Sequence, residues 1–351
     1  MSSASTFSDR KFDGGGPTLA DVGESELLER LVTRASAAHG PDADSAVIVG
    51  AGDDAAIWRP SAGRDLVVTQ DAIVEGEDFT REWSTPYQAG HRLLASSLSD
   101  LAGMGAVPSF CTATVCAPEH TQVDDVIAIQ AGVLELGGAH GCRLVGGDVS
   151  RTVGPIVLDL VAAGTVAPGA CLRRDRGTPG DSLITTGAFG GAAAGLHVLR
   201  QGRGRPTAAE TAFVAAQLWP RPRVLEGTTM VAAGVRCGGD VSDGLLVDAE
   251  RTARASGCAA ELWSDAVPVH PGLRECYPDE WMEFALGGGE DFELICAVSP
   301  GRVEGLIAAW PADLAPLTVV GRLTGGTGIR LLDRHNGTDM TMPSVHSRHF
   351  A

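Results

Sequence analysis

The chain has 351 residues, 44% of them hydrophobic, and a formal net charge of −17. That length exceeds a comfortable single core and favours two domains, and the acidic balance argues against nucleic acid or an anionic membrane as the main partner. Lys11 is the only lysine, so a phosphate loop of the Gly-x-x-x-x-Gly-Lys type is absent.

Residues 1–22 begin with a Ser-, Gly- and Asp-rich stretch lacking the apolar core of a signal peptide, and are expected to form a disordered tail. The spacing of Leu27, Leu28, Leu31 and Val32 predicts a helix over 23–38. Strands are expected at 46–49 and 66–69, flanking Gly52-Asp53-Asp54, and a helix over 87–104 after Pro86. Asp100 falls near the end of that helix, where the helix dipole disfavours an anion, and two readings stay open: a compensating cation or a solvated surface acid. A strand at 109–117, a helix at 123–139, a short strand at 143–145 and a long strand at 156–166 complete an α/β half. After a connector over 168–181 come a strand at 182–186, an alanine-rich helix and further helices to about residue 233. A helix at 245–255 and strands at 292–298 and 318–320 follow. No segment approaches the roughly 20 apolar residues of a membrane helix. The eight cysteines are dispersed without Cys-x-x-Cys pairs, which reads as reduced thiols of a cytoplasmic protein. Trp58 and Trp83 read as packing residues, and His346 and His349 lack a third metal ligand.

Acidic residues recur in short motifs, several of them glycine-rich, at Gly52-Asp53-Asp54, Thr69-Gln70-Asp71, Leu98-Ser99-Asp100, Gly146-Gly147-Asp148, Asp240-Val241-Ser242-Asp243-Gly244 and Gly288-Gly289-Glu290-Asp291. An EF-hand fails, because no 12-residue window carries acids at the required positions. Acids gathered in space need cations against their mutual repulsion, and magnesium with a polyphosphate would supply them. From the residues alone two readings stay open: convergence on metal, or a set of unrelated solvated turns.

In their order, these motifs resemble those of thiamine-monophosphate kinase. Its superfamily also holds aminoimidazole-ribotide synthetase, selenophosphate synthetase and a hydrogenase maturation dehydratase. The carrying segments are Gly52-Asp53-Asp54-Ala55-Ala56, Leu98-Ser99-Asp100-Leu101-Ala102-Gly103-Met104, Gly146-Gly147-Asp148, Pro179-Gly180-Asp181, Asp240-Val241-Ser242-Asp243-Gly244-Leu245 and Gly288-Gly289-Glu290-Asp291-Phe292-Glu293-Leu294. The resemblance implies an α/β (α+β) protein with the two-domain aminoimidazole-ribotide-synthetase-like fold. Residues 23–167 would be an ATP- and magnesium-binding domain that dimerises through its sheet, and 168–351 a C-terminal α/β domain. It implies ATP and several magnesium ions, with Asp54, Thr69, Asp71, Asp100, Asp148, Asp240 and Asp243 as metal ligands. Asp148 and Asp243 are also the catalytic carboxylates it implies. Gly147, Arg174 and Ser242 would touch the nucleotide, and Glu290 the acceptor. The implied partners are ATP, a small phosphorylated acceptor and a second copy of the chain.

Several acceptor-side positions depart from the family pattern. Asp78 stands where a substrate-facing His is usual, Ser97 where an Asn is usual, Gln70 where a Thr is usual, and Ser347 where an aromatic ring is usual. These changes predict that thiamine monophosphate is a poor substrate or binds in an altered pose. A kinase of another acceptor, a synthetase or dehydratase of the same superfamily, and a non-catalytic nucleotide-binding regulator are the alternatives. The absence of a cysteine before Cys111 and the ending Phe350-Ala351 disfavour the selenium and hydrogenase branches.

Overall fold

The computed structural model describes residues 9–39, 46–53, 55–202, 205–335 and 337–344. The chain divides into two compact units, residues 1–101 with 108–165, and residues 102–107 with 166–351.

The first unit runs α1 (Leu19–Val22), α2 (Glu24–His39), β1 (Val47–Val49), β2 (Ile57–Trp58), β3 (Asp65–Val74), α3 (Pro86–Gly103), β4 (Val107–Ala117), α4 (Val123–His140), β5 (Arg143–Arg151) and β6 (Val157–Val166). Four strands form a sheet in the order β3-β6-β4-β5, and β1 and β2 form a separate antiparallel pair. The apolar side of α3 (Leu93, Leu94, Leu98, Leu101) and that of α4 (Val126, Ile129, Val133) are buried. The two helices approach backbone to backbone. A Cβ on Gly90 would lie 1.9 Å from the Ile129 carbonyl oxygen, and one on Gly132 would lie 2.1 Å from that of Tyr87. Only glycine at both positions allows that approach.

The second unit runs β7 (Ser182–Thr186), α5 (Gly191–Gln201), α6 (Ala208–Leu218), α7 (Val224–Ala232), β8 (Cys237–Val241), α8 (Leu245–Ala255), β9 (Ala259–Trp263), α9 (Leu273–Cys276), β10 (Glu293–Val298), α10 (Pro300–Ala308), β11 (Leu317–Thr324) and β12 (Ile329–Leu332). Its six-stranded sheet has the order β12-β9-β11-β7-β10-β8. Neighbours are antiparallel except for β12, which runs parallel to β9. Both faces of the sheet are covered. Leu183, Ile295 and Ala297 enter one apolar cluster, while Ile184, Cys296 and Val298 enter another. That alternation explains why β10 reads as an unbroken apolar run.

Two sequence expectations are corrected, and three strands are added to them. Residues 9–22, expected within a disordered tail, are packed on the first unit. Thr18 forms a capping box with Asp21, Phe12 is 7% exposed and stacks on Phe79, and Arg10 pairs with the buried Asp125. The short strand at 143–145 continues through Gly146-Gly147-Asp148 to Arg151. Strands β8, β9 and β12 escaped sequence reading. In β8, Cys-Gly-Gly-Asp-Val has the composition of a turn, yet all five residues are buried although the strand ends the sheet order beside β10. Trp58 packs on Phe110 with ring centroids 4.8 Å apart. The eight cysteines are unbonded, five of them buried. Among the described residues no helix is long and apolar enough to cross a membrane.

Candidate active site

In the first unit the period of β3 sends Thr69 and Asp71 to one face and Leu66, Val68 and Gln70 to the other. On α3, Ser97 and Asp100 are three residues apart and share a side. The two spacings match. The Thr69 hydroxyl donates to Asp100, and the Ser97 hydroxyl donates to Asp71 Oδ2 at 2.7 Å. Ser97 is fully buried. Burial, first of all, raises the Asp71 carboxyl to about 6; the Ser97 hydrogen bond opposes this, and the nearby Asp100 and Asp159 charges reinforce it. Gln70 lies on the other face and donates to both oxygens of Asp159, at 3.1 and 2.9 Å.

Gly147 and Asp148 lie on β5, opposite Ala113 and Thr114 of β4. A Cβ at Gly147 would lie 2.1 Å from the Ala113 carbonyl oxygen, so the glycine is a packing requirement of the sheet. Asp148 is exposed and accepts from Ser150 at 3.1 Å. A cleft of about 890 Å³ in this unit is rimmed by Gly52-Asp53 and by Gly146-Gly147-Asp148, with Val32, Val126 and Ile129 among its apolar walls. Asp54 lies outside the described residues. Asp78 spends a carboxylate oxygen on the Val74 N–H, at 2.7 Å, inside its own turn. This contact gives Asp78 a structural role within its own turn, besides the acceptor-side position expected from the family pattern.

In the second unit Asp240, at the end of β8 and 3% exposed, accepts from Arg174 Nη2 at 3.1 Å. A Cβ on Gly239 would come within 2.8 Å of that guanidinium, so the glycine makes room for it. Arg174 Nε is buried without a partner. Asp243 pairs with Arg251, which also donates to Asp248 at 2.9 Å. The fully buried Asp248 accepts the N–H groups of Ser242 and Asp243 at 3.1 and 2.9 Å, holding the turn in shape. Burial raises the Asp248 carboxyl above its ordinary range. Sequence reading missed Asp248 and Arg251; their three-residue spacing on a helix was the available signal.

Glu290 follows a π-helical turn at Glu283–Gly287 and the glycines Gly288 and Gly289. Its φ is 72° and that of Phe292 is 50°, both in the left-handed region. Non-glycine residues there cost on the order of 1–3 kcal/mol each. Between them, Asp291 accepts the N–H groups of Gly190 and Ala192 at 2.7 and 3.1 Å, and the Glu290 N–H donates to Ser242 O at 2.7 Å. Glu293, missed as a structural residue, takes Arg223 and the Thr186 hydroxyl onto its buried carboxylate. Ser347, His346 and His349 lie outside the described residues. Among the described residues no three His, Cys, Asp or Glu side chains are gathered closely enough to hold a metal ion.

The two-unit fold and these acidic turns define an AIR synthase related protein: the N-terminal domain model of that family matches residues 52–166, and the C-terminal domain model matches residues 178–334. Within that class the chain belongs to the thiamine-monophosphate kinase family. A thiamine-monophosphate kinase of Bacillus subtilis (strain 168) is 32% identical over 308 residues, 87% of this chain and 94% of that one. The crystal structure of thiamine-monophosphate kinase from Stenotrophomonas maltophilia K279a superposes with a TM-score of 0.79 at 35% identity, covering 88% of this chain and 96% of that chain. A structure of AaThiL complexed with AMPPCP and TMP superposes with a TM-score of 0.73 at 26% identity, covering 95% and 99% of the two chains.

Proposed function

We propose that this protein is an ATP- and magnesium-dependent kinase that transfers the γ-phosphoryl group of ATP to thiamine monophosphate, forming thiamine diphosphate and ADP. The observation that carries the reading is the 32% identity over 87% of the chain to a thiamine-monophosphate kinase, with the acidic motifs lying inside the two matched regions. The AMPPCP and TMP bound by the structural relative AaThiL support the same pair of substrates. In this reading residues 23–167 form the nucleotide and dimerisation domain and residues 168–351 the second α/β domain. The cleft beside Gly52-Asp53 and Gly147-Asp148, about 890 Å³, has a size suited to the nucleotide.

The side chains fit magnesium by their chemistry. The donors Thr69, Asp71, Asp100, Asp148, Asp240 and Asp243, with Asp54, offer hard oxygen atoms only. Burial first, and then the charges of Asp100 and Asp159, raise the Asp71 carboxyl, and a cation relieves that repulsion. When bound, magnesium screens the negative charge of the reacting phosphates. Arg174 grips a nucleotide phosphate with its guanidinium, Gly147 and Ser242 line the nucleotide, and Asp148 and Asp243 fix the charge pattern around the reacting group. Glu290 meets the acceptor in this reading, and Asp78 and Ser347 are the other two positions read as acceptor contacts from the family pattern. The acceptor phosphate is already a competent nucleophile near neutral pH, so the protein positions and neutralises and supplies no general base. Unbonded, mostly buried cysteines support a cytoplasmic setting.

Magnesium-dependent ADP formation stimulated by thiamine monophosphate tests this reading. If another phosphorylated acceptor drives turnover while thiamine monophosphate does not, the acceptor assignment is wrong. If neither does, the kinase assignment is wrong.

A further inference from the structure

Glu290 holds a left-handed backbone, with φ of 72°, in the turn before β10. A flexible carboxylate on a turn with two left-handed residues has many directions open to it, and binding energy is lost in fixing one. Here one direction is already fixed. Gln217, near the end of α6 and 5% exposed, donates its side-chain Nε2 to Glu290 Oε2 at 3.1 Å. Gln217 is itself held by close helix packing. A Cβ on Gly195 of α5 would lie 2.1 Å from the Phe213 carbonyl oxygen and 3.0 Å from Gln217 Cβ. The backbone side of the turn is fixed by the Glu290 N–H on Ser242 O and by Asp291 on Gly190 and Ala192. Backbone and side chain of Glu290 thus have separate anchors, and the side-chain anchor comes from a helix that none of the acidic motifs touches in sequence.

We propose that Gln217 is a positioning residue for the acceptor: its buried amide holds the Glu290 carboxylate in the direction that meets a hydrogen-bond-donating or cationic group of the acceptor. This rests on the proposed reading of Glu290 as an acceptor contact. The amide is neutral, so it orients the carboxylate without cancelling its charge, which an arginine or lysine at that place would do. Loss of the amide leaves phosphate and nucleotide contacts untouched. The effect therefore falls on acceptor binding and not on the chemical step.

Gln217→Met keeps side-chain length and removes the donor. The Michaelis constant for thiamine monophosphate should rise about tenfold or more, the loss expected of one hydrogen bond to a charged group. The KM for ATP should stay unchanged, and kcat should stay within about twofold. Glu290→Ala should raise the acceptor KM by itself, and Gln217→Met should add nothing in that background. In the ligand-free protein, Glu290→Ala should also shift the side-chain amide resonances of Gln217. An acceptor KM unmoved by Gln217→Met, or raised equally in the Glu290→Ala background, overturns the positioning role and leaves Glu290 as the acceptor contact. An acceptor KM indifferent to Glu290→Ala overturns the reading of Glu290 and this inference with it.

Discussion

Asp71 shows how much one carboxyl depends on its neighbours. Burial raises it to about 6, with Asp100 and Asp159 adding repulsion and Ser97 donating the opposing hydrogen bond. A carboxyl raised in the folded state stabilises most below its unfolded value near 4, and that contribution is lost as the pH climbs through about 6. Magnesium reverses the sign above that pH, because it binds the ionised form. Apparent magnesium affinity, read from the KM for magnesium in the kinase assay, should accordingly fall as the pH drops from 7 to 5. Ser97→Ala removes the hydrogen bond that favours the ionised carboxylate, so the fall should move to higher pH; an unmoved profile would exclude Asp71 from the metal site. Asp100→Asn and Asp148→Asn delete ligand charge at constant volume. Each should reduce kcat by about 100-fold or more while circular dichroism and thermal midpoint stay near those of the unaltered protein.

The Arg223–Glu293 pair ties α7 to β10 at the scale of elements. Glu293 is 2% exposed and accepts from Arg223 Nε at 2.8 Å, from Arg223 Nη2 at 2.5 Å and from Thr186 Oγ1 at 2.6 Å. Its carboxylate also fills the space beside Gly187, where an added Cβ would lie 2.0 Å from Oε1. Replacing both partners by apolar groups could be nearly neutral, but removing one leaves a buried charge unpaired. Arg223→Ala should therefore cost about 3–5 kcal/mol in urea unfolding. A loss below about 1 kcal/mol would show the pair to be solvated like an ordinary surface bridge.

The whole molecule carries a net charge of −17 and yet presents an apolar strand face. Leu66 and Val68, on one face of β3, are 57% and 58% exposed. Two such side chains side by side on a strand suit the dimerisation through the first sheet that the family resemblance implies. Leu66→Arg with Val68→Arg should convert a dimer to monomers in analytical ultracentrifugation, because paired interfaces would bring like charges together. A mass unchanged by this double substitution, whether of a monomer or of a dimer, would overturn the role of this face in dimerisation.

Periodicity and punctuation determined most elements: Pro86 opens α3, the apolar spacing of α2 and α3 is helical, and β7 and α8 have their expected bounds. The order of the acidic motifs sufficed to name the family, because each motif is a short run local in sequence. The sequence alone could not reveal the partners of those acids. Ser97 on Asp71, Gln70 on Asp159, Asp78 on the Val74 N–H and Gln217 on Glu290 are 26, 89, 4 and 73 residues apart. Even the four-residue case depended on the turn that folds Asp78 back onto its own strand. Direction was equally out of reach. Thr69 and Gln70 are adjacent, but the strand pleat sends one toward α3 and the other to the opposite face. Family patterns record which residue is usual at a position, while the tertiary structure decides whether its replacement meets substrate or is absorbed by a neighbour, since a hydrogen bond requires a partner within about 3 Å.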